Sequence, residues 1–233
     1  MTKVLFAGPS IHGLGLRSQG EVLLHPPAAC GDILKAVCAG HDTIGLIDGF
    51  FGSERSVWHK EILLALSRGV RVLGAASMGA LRAAECAPFG MEGVGRIYRD
   101  YRDGRRIDDA DVALLHGPAE MAFQPLTLAL VDAEATIAEL VERARVSAKQ
   151  GRALLAAARH LHFTKRTWTA ILSDAQAPPG TSGLVEACLV EQKKADALEL
   201  IVRLHEPPPD RPDAAPWTLN QTLFLATLEE TLA

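Results

Sequence analysis

Runs of apolar and β-branched residues alternate with segments of helical periodicity along the first part of the chain. Residues 3–7, 43–47 and 70–75 are apolar runs of strand length, and small or polar turn residues follow each of them. Residues 30–39 and 56–68 lie between these runs and place apolar positions at the spacing of one helix face. Strands that alternate with helices predict a β-α-β-α-β arrangement and hence a parallel sheet with flanking helices. We therefore predict an α/β fold.

The pattern changes beyond residue 118, where Ala, Leu, Glu and Arg recur at helical spacing and strand formers become rare. We predict two domains, an α/β core over residues 1–118 and a mostly helical C-terminal region over residues 119–233. The predicted helices are 128–158, with Gly151 as the candidate interruption, 184–204 and 220–232, and the predicted proline-rich loops are 177–180 and 206–212.

A serine stands at the corner where the strand over residues 70–75 turns into a helix. Small residues before Ser77 permit a tight turn, and good helix formers follow it. Serine hydrolases place a nucleophile at such a corner, in the pattern G-x-S-x-G. Gly79 fits that pattern, whereas Ala75 stands in place of the first glycine. The alternative is that Ser77 is an ordinary N-cap that accepts an N–H from the first turn of its own helix.

Lys60 is the candidate base for this serine. If helix 56–68 runs antiparallel to the following strand, the rises of about 1.5 and 3.3 Å per residue bring Lys60 and Ser77 to the same end of the sheet. A lysine can act as a general base when desolvation lowers its pKa from about 10.4 to about 7 or 8, and Ser-Lys pairs are a known catalytic variant. The alternatives are a solvated Lys60 paired with Glu61 or Glu54, and His59 as the base.

Polar residues also follow the two earlier strands, Ser10 after the first and Asp48 after the second. The carboxyl ends of parallel strands share one edge, and binding sites of open α/β sheets lie along it. We therefore expect Ser10, Asp48, Lys60 and Ser77 to face one crevice. Asp48 either orients or pairs with Lys60, or it forms an Asx-turn before Gly49.

Composition and charge exclude several classes of function. The chain has 233 residues, and 48% of them are hydrophobic. Its 24 basic residues are outnumbered by 28 acidic residues, so the overall charge does not favour binding to nucleic acid. Its four cysteines show no C-x-x-C spacing, and we expect no metal and no cofactor. No apolar run approaches the roughly 18 residues of a membrane span, and the N-terminus shows no signal peptide. We expect a cytoplasmic protein.

Three arginines, Arg96, Arg99 and Arg102, recur at helical spacing after residue 92. Such a stripe can dock an acidic protein surface. The alternative is a solvated helix face on which the arginines pair with Asp100 and Asp103.

Four segments of the chain resemble the TfuA-like proteins. They are residues 7–10 (AGPS), 47–51 (IDGFF), 57–62 (VWHKEI) and 74–85 (GAASMGALRAAE). The resemblance covers about residues 1–118. Residues 107–113 are similar to that family's acidic segment before its last core strand, with Ala110 where an acidic residue is expected.

The resemblance implies a fold, an activity and partners. TfuA proteins work beside YcaO enzymes in replacing a peptide-backbone amide oxygen by sulfur. The implied activity is a hydrolase-like cleavage of the thiocarboxylated C-terminus of a ubiquitin-like, ThiS-like sulfur carrier, which delivers sulfide for the YcaO protein and its peptide or protein substrate. The residues implied are Ser77 as nucleophile, Lys60 as base, and Gly8, Ser10, Asp48, Met78, Gly79 and Arg82 as oxyanion or substrate-binding groups.

Two other functions remain open at the level of the sequence. One is a noncatalytic adaptor that bridges a YcaO protein and its peptide. The other is a Ser-Lys esterase or amidase unrelated to sulfur. No nucleic acid and no membrane is expected as a partner under any of the three.

Overall fold

The computed structural model describes residues 2–18, 20–52, 54–208 and 217–232. Within these ranges the strands are β1 (Lys3–Phe6), β2 (Val22–His25), β3 (Thr43–Leu46), β4 (Arg71–Gly74) and β5 (Glu92–Gly93). The helices are α1 (Asp32–Cys38), α2 (His59–Ser67), α3 (Met78–Cys86), α4 (Gly95–Arg102), α5 (Leu130–Glu142), α6 (Ala148–His160), α7 (Trp168–Asp174), α8 (Thr181–Ala187), α9 (Gln192–His205) and α10 (Leu223–Leu232).

The chain divides into two compact units. The first consists of residues 1–107 and 194–233 and contains the sheet, and the second consists of residues 108–193 and is helical. In the second unit, α5, α6 and α7 enclose a core that includes Leu130, Ile137 and Leu154. The domain boundary at residue 118 stays a prediction.

The five strands form one parallel sheet in the order β2-β1-β3-β4-β5. The α/β fold with flanking helices and a helical C-terminal part is therefore confirmed. The sequence analysis missed β2 and β5, which are the two edge strands. Residues of β2 alternate between partly buried and exposed positions, and β5 is two residues long, so neither forms an apolar run.

Alternate residues of the central strands face opposite sides of the sheet, as the strand period of two requires. On one side, Val4 belongs to a cluster with Ile62 of α2. On the other side, Leu5 belongs to a cluster with Leu200 of α9. Burial of such aliphatic side chains stabilises by about 1.5–3 kcal/mol each. This burial fixes α2 and α9 on opposite faces and sets where their ends lie.

One predicted helix is wrong. Residues 184–204 form two helices, α8 and α9, with a break at 188–191. Cys188 is buried at the end of α8, and the Val190 N–H donates to Thr136 Oγ1 at 3.0 Å. A contact with a residue 54 positions away in sequence thus interrupts a pattern that is helical locally.

Gly151 does not interrupt a helix either, because it lies inside α6 and is buried. A Cβ at Gly151 would overlap the side chain of Val141, so the glycine permits α5 and α6 to approach closely. The break falls at residues 143–147 instead. There Ser147 Oγ accepts the N–H of Gln150 and caps α6.

The acidic segment 107–113 does not precede a core strand. Asp109–Asp111 form a 3-10 turn, and Asp108 Oδ1 accepts the N–H of Ala110. In the described residues that follow β5, no strand joins the sheet, and one isolated bridge joins His116 to Pro125. The predicted loop 206–212 begins after α9, and its residues from 209 onward lie outside the described ranges.

Candidate active site

The chain turns sharply between β4 and α3. Ala76 has φ +64° and is fully buried, and the Ser77 N–H donates to the Ala75 carbonyl oxygen at 2.7 Å. This bond between residues two apart closes a γ-turn of the rare, strained sense. A residue other than glycine at positive φ stores about 1–3 kcal/mol of strain. The corner predicted at Ser77 is therefore present and is held in a strained shape.

Two glycines allow α3 to start directly against the ends of β3 and β4. A Cβ at Gly79 would overlap the Leu46 carbonyl oxygen, and a Cβ at Gly74 would overlap the Gly79 carbonyl oxygen. The contacts are with backbone atoms, which cannot rotate away. Gly79 is thus required by close packing, independently of any chemistry at Ser77.

Ser77 occupies the N-cap position of α3, but its side chain does not cap the helix. The residue is 5% exposed. Its hydroxyl makes no hydrogen bond with any residue in the described ranges. The Oγ atom is not fully buried either, so solvent can contact it. The N-cap alternative is therefore wrong. The hydroxyl reaches the surface without a bond that would hold it in place.

One backbone N–H next to Ser77 makes no hydrogen bond with the described residues. The Gly79 N–H donates to the Ile47 carbonyl oxygen at 3.1 Å, whereas the Met78 N–H has no acceptor among the residues that the structure describes. Met78 is the first residue of α3. At the start of a helix the N–H groups lack partners within the helix, and the helix dipole has its positive end there. The Met78 amide is therefore available to an oxyanion at Ser77.

Asp48 follows β3 and binds the loop that follows β1. Its Oδ2 accepts the N–H groups of Gly8 at 2.9 Å and Ser10 at 3.0 Å, and its Oδ1 accepts the Ser10 hydroxyl at 2.7 Å. Asp48 is 1% exposed. The structure thus brings Gly8, Ser10 and Asp48 together at the carboxyl edge of the sheet. The Gly8 and Ser10 amides predicted for an oxyanion are occupied by this carboxylate.

Neither alternative for Asp48 describes these contacts. The Phe50 N–H, which an Asx-turn would use, donates to the Ala28 carbonyl oxygen at 3.0 Å. In the described ranges Asp48 makes no ion pair with Lys60. The carboxylate holds the β1 loop against β3 instead.

Lys60 lies in the first turn of α2, as predicted, but its side chain bonds elsewhere. Lys60 Nζ donates to the Asn220 carbonyl oxygen at 3.0 Å. No hydrogen bond joins it to Ser77 across the described ranges. Glu61, the neighbouring glutamate, is buried and accepts the N–H groups of Gly31 and Trp58 instead of pairing with Lys60. The structure therefore leaves Ser77 and Lys60 unconnected.

A family model described as TfuA-like protein matches residues 48–167. The chain belongs to the TfuA-like family. The match begins at Asp48 and includes Lys60 and Ser77, whereas Gly8 and Ser10 precede it. No curated protein matches the chain. The TfuA-like family is associated with YcaO partners and with the thioamidation system.

In this TfuA-like protein Arg82 forms a cluster at the junction of α2 and α3. Arg82 Nε donates to the Val57 carbonyl oxygen at 2.9 Å, and Arg82 Nη1 lies 2.7 Å from Glu85 Oε2. His59 Nε2 lies 2.7 Å from the same carboxylate oxygen. Burial raises the pKa of Glu85, but the His59 hydrogen bond and the Arg82 charge outweigh it and hold the pKa below its usual range. Arg82 and His59 thus both bind Glu85 Oε2.

Glu61 is a buried carboxylate that the sequence analysis did not single out. It joins the first turn of α2 to the loop before α1 through the Trp58 and Gly31 N–H groups, at 3.1 and 2.7 Å. Burial raises the pKa of Glu61. Burial of Cys30, together with the Glu61 charge, raises the pKa of the Cys30 thiol to about 11. The sequence could have indicated this contact, because Glu61 is the third residue of α2 and a glutamate at that position commonly accepts the backbone N–H of the N-cap residue.

The predicted arginine stripe of this TfuA-like protein lies on α4. Arg102 Nε binds Asp103 at 2.7 Å, and Arg96 lies 3.9 Å from Asp100, as the solvated-face alternative expected. The Arg99 side chain makes no ion pair or hydrogen bond with any residue in the described ranges. Arg99 is therefore the member of the stripe that can meet a partner.

Among the described residues no group of three or more His, Cys, Asp or Glu side chains is placed to hold a metal ion. Within the same part of the chain, no helix combines the length and apolar character needed to cross a membrane.

Proposed function

We propose that this TfuA-like protein hydrolyses the thiocarboxylated C-terminus of a ubiquitin-like sulfur carrier and thereby releases sulfide for YcaO-dependent thioamidation. The observation that carries the proposal is the pairing of an unbonded Ser77 hydroxyl with the uncommitted amide of Met78 at the start of α3. Serine hydrolases use this combination, in which the amide after the nucleophile forms part of the oxyanion hole.

The reaction has two steps. Ser77 Oγ loses its proton to a base and attacks the thiocarboxylate carbon, which forms a C–O bond and places negative charge on oxygen. The Met78 amide stabilises that oxyanion, the base gives its proton to sulfur, the C–S bond breaks, and HS⁻ leaves with the electron pair of that bond. Water then gives a proton to the base and attacks the Ser77 ester. The bond from the acyl carbon to Ser77 Oγ breaks, Oγ takes the proton back, and the carrier leaves with an ordinary carboxylate. The overall change replaces sulfur by oxygen and needs no oxidant, reductant or cofactor.

Lys60 is the proposed base, and its bond to Asn220 sets a condition on that role. A lysine ammonium bonded to a backbone carbonyl oxygen holds its proton and cannot accept another. Lys60 must therefore leave the Asn220 carbonyl and lose a proton before it can activate Ser77. Its flexible four-carbon stem permits such a change of direction.

The same bond favours a second candidate function. If Lys60 keeps its contact with Asn220, Ser77 lacks a base and the protein acts as a noncatalytic adaptor between a YcaO protein and its peptide. The two functions differ in whether sulfide appears when the carrier is supplied alone.

The deciding experiment measures sulfide release from a thiocarboxylated ubiquitin-like carrier by the unaltered protein and by Ser77→Ala. We expect the variant to lose activity by at least about 100-fold, as loss of a nucleophile does in related chemistry. Ser67→Ala is the matched control, since this serine bonds the Leu64 carbonyl oxygen on α2. An intact protein that binds the carrier without releasing sulfide would exclude the hydrolase and favour the adaptor.

A further inference from the structure

A cavity of about 720 Å³ lies in the first unit between β5, α4 and α9. Its lining includes Met91, Val94 and Tyr98 from the β5 and α4 side and Val202 from α9. Ligand sites typically have volumes of about 300–1,000 Å³. None of the groups assigned to catalysis above lines this cavity, so it is a separate site.

One wall of the cavity is the outer edge of β5. The Val94 N–H donates to the Gly74 carbonyl oxygen at 2.9 Å, and Gly93 is the register partner of Gly74. In a parallel ladder this geometry turns the Glu92 and Val94 backbone groups toward β4 and the Gly93 N–H and C=O away from it. Since β5 ends the sheet, no strand in the described ranges lies on its outer side to bond these Gly93 groups. An unpaired strand edge is a template for an additional extended strand.

Gly93 leaves room for an aromatic side chain of α4 on one face of β5. A Cβ at this position would overlap the ring of Tyr98, which packs against the glycine. The edge, the glycine and the cavity thus coincide.

The lining of the cavity carries three basic and three acidic side chains, and it offers an anionic group one place to bind. Arg99 of α4 lines it without an ion pair in the described ranges, whereas Arg203 pairs with Glu206 at 3.0 Å. On the opposite wall Glu199 carries a charge that also has no partner in those ranges. An anionic group therefore meets its complement on the α4 wall and is repelled from the α9 wall. Val202, 64% exposed, offers an apolar contact.

We propose that this cavity binds the C-terminal tail of the sulfur carrier as an extended segment that pairs with Gly93 and places an acidic group of the tail on Arg99. The proposal rests on the function proposed above. A strand added to β5 lies about two strand spacings, roughly 10 Å, from β4, after which Ser77 follows. Three extended residues span about 10 Å. The end of the tail can therefore cross the end of β5 and reach Ser77.

The test uses pairs of variants on the same helix. Arg99→Glu reverses charge in the cavity, and Arg96→Glu does so on α4 at an exposed residue outside it. Val202→Glu and its control Leu198→Glu, both at exposed positions of α9, form the second pair. The probe is a fluorescent ubiquitin-like carrier that ends in an ordinary carboxylate, so that binding is measured without hydrolysis. We expect Kd to rise at least about 10-fold for Arg99→Glu and Val202→Glu and to change less than about 2-fold for the controls.

Backbone pairing has its own readouts. Hydrogen exchange of the Gly93 amide should slow when the carrier binds. A peptide of the carrier's last eight residues should lose affinity when alternate amides are N-methylated, because only every second residue of an added strand bonds to β5.

The outcomes separate the two proposals. If the protein releases sulfide but Arg99→Glu changes neither Kd nor KM, the cavity assignment is overturned and the hydrolase stands. Lowered affinity in both cavity variants without any sulfide release would keep the tail site and remove the hydrolase. If cavity variants and controls weaken binding equally, or the Gly93 amide gains no protection, no strand is added at β5.

Discussion

Lys60 Nζ donates a hydrogen bond of 3.0 Å to the carbonyl oxygen of Asn220, a residue 160 positions later in the chain. The acceptor is a backbone atom, so no substitution at Asn220 removes it. The contact holds the candidate base on the segment before α10. The role of Lys60 must therefore be tested by changing the lysine itself.

We predict that Lys60→Ala and Lys60→Arg both lower the rate of sulfide release by at least about 100-fold. Arginine can keep a bond to the Asn220 carbonyl, but its guanidinium group stays protonated and cannot act as a base. Lys35→Ala, which removes an exposed lysine of α1, is the control and should keep full activity. Full activity in Lys60→Arg would show that Lys60 contributes a contact and not a base.

Asp48 should be a strong determinant of stability because it accepts three buried hydrogen bonds from the β1 loop. Asp48→Ala leaves the Gly8 and Ser10 amides without acceptors, and we expect a loss of about 3 kcal/mol in the free energy of unfolding. Asp48→Asn keeps one oxygen acceptor and should lose about half as much. Ser10→Ala removes one donor and should lose about 1 kcal/mol. Urea denaturation of the four proteins gives the ranking, and equal losses in both Asp48 variants would contradict it.

The strain at Ala76 predicts an unusual response to glycine. Ala76→Gly removes a buried methyl group, worth about 0.8 kcal/mol, but relieves a φ of +64°, so we expect a net change near zero. The matched control is Ala83→Gly, at a fully buried residue inside α3. There the lost methyl group and the lower helix propensity of glycine add to about 2 kcal/mol. Similar losses in the two variants, measured by urea denaturation, would argue against strain at the corner.

Asp132 should make the stability of the second unit depend on pH. Burial raises the pKa of this carboxyl group from 3.8 to about 6. Between pH 3.8 and about 6, Asp132 is protonated in the native state and ionised in the unfolded state. The free energy of unfolding therefore falls as the pH rises through this range. The fall amounts to about 3 kcal/mol, and the stabilising contribution is fully present below pH 3.8.

The measurement is urea denaturation between pH 3.5 and about 7, followed by the fluorescence of Trp168 in a protein without the other two tryptophans. Asp132→Asn should flatten the pH dependence between about pH 4 and 6, because it cannot ionise. Asp174→Asn, at an exposed position at the end of α7, is the control and should preserve it. An unchanged slope in Asp132→Asn would assign the titration to another group.

The position of Ser77 was predictable because its signals are local. An apolar strand, small residues and a helix that starts at once are all within 16 residues of sequence, and local sterics alone make that corner. The N-cap alternative was equally consistent with the sequence. Only the structure excluded it, because a capping bond depends on the turn geometry that Ala76 adopts.

Other elements escaped prediction because they lack a local pattern. The two residues of β5 form a strand only through their register with β4, and the break between α8 and α9 is held by Thr136 on another helix. The sequence predicted Gly79 from a motif, whereas the overlap with Leu46 gives its packing reason.

The sequence by itself determined that the chain builds a parallel α/β sheet with Ser77 at the end of a central strand, because periodicity and turn sterics act between near neighbours. The tertiary structure alone decided the partners of the other candidates. Asp48 binds the β1 loop and Lys60 binds Asn220, across 38 to 40 and 160 residues respectively. Which charged group meets which acceptor depends on how distant segments pack, and no pattern among near neighbours encodes that choice.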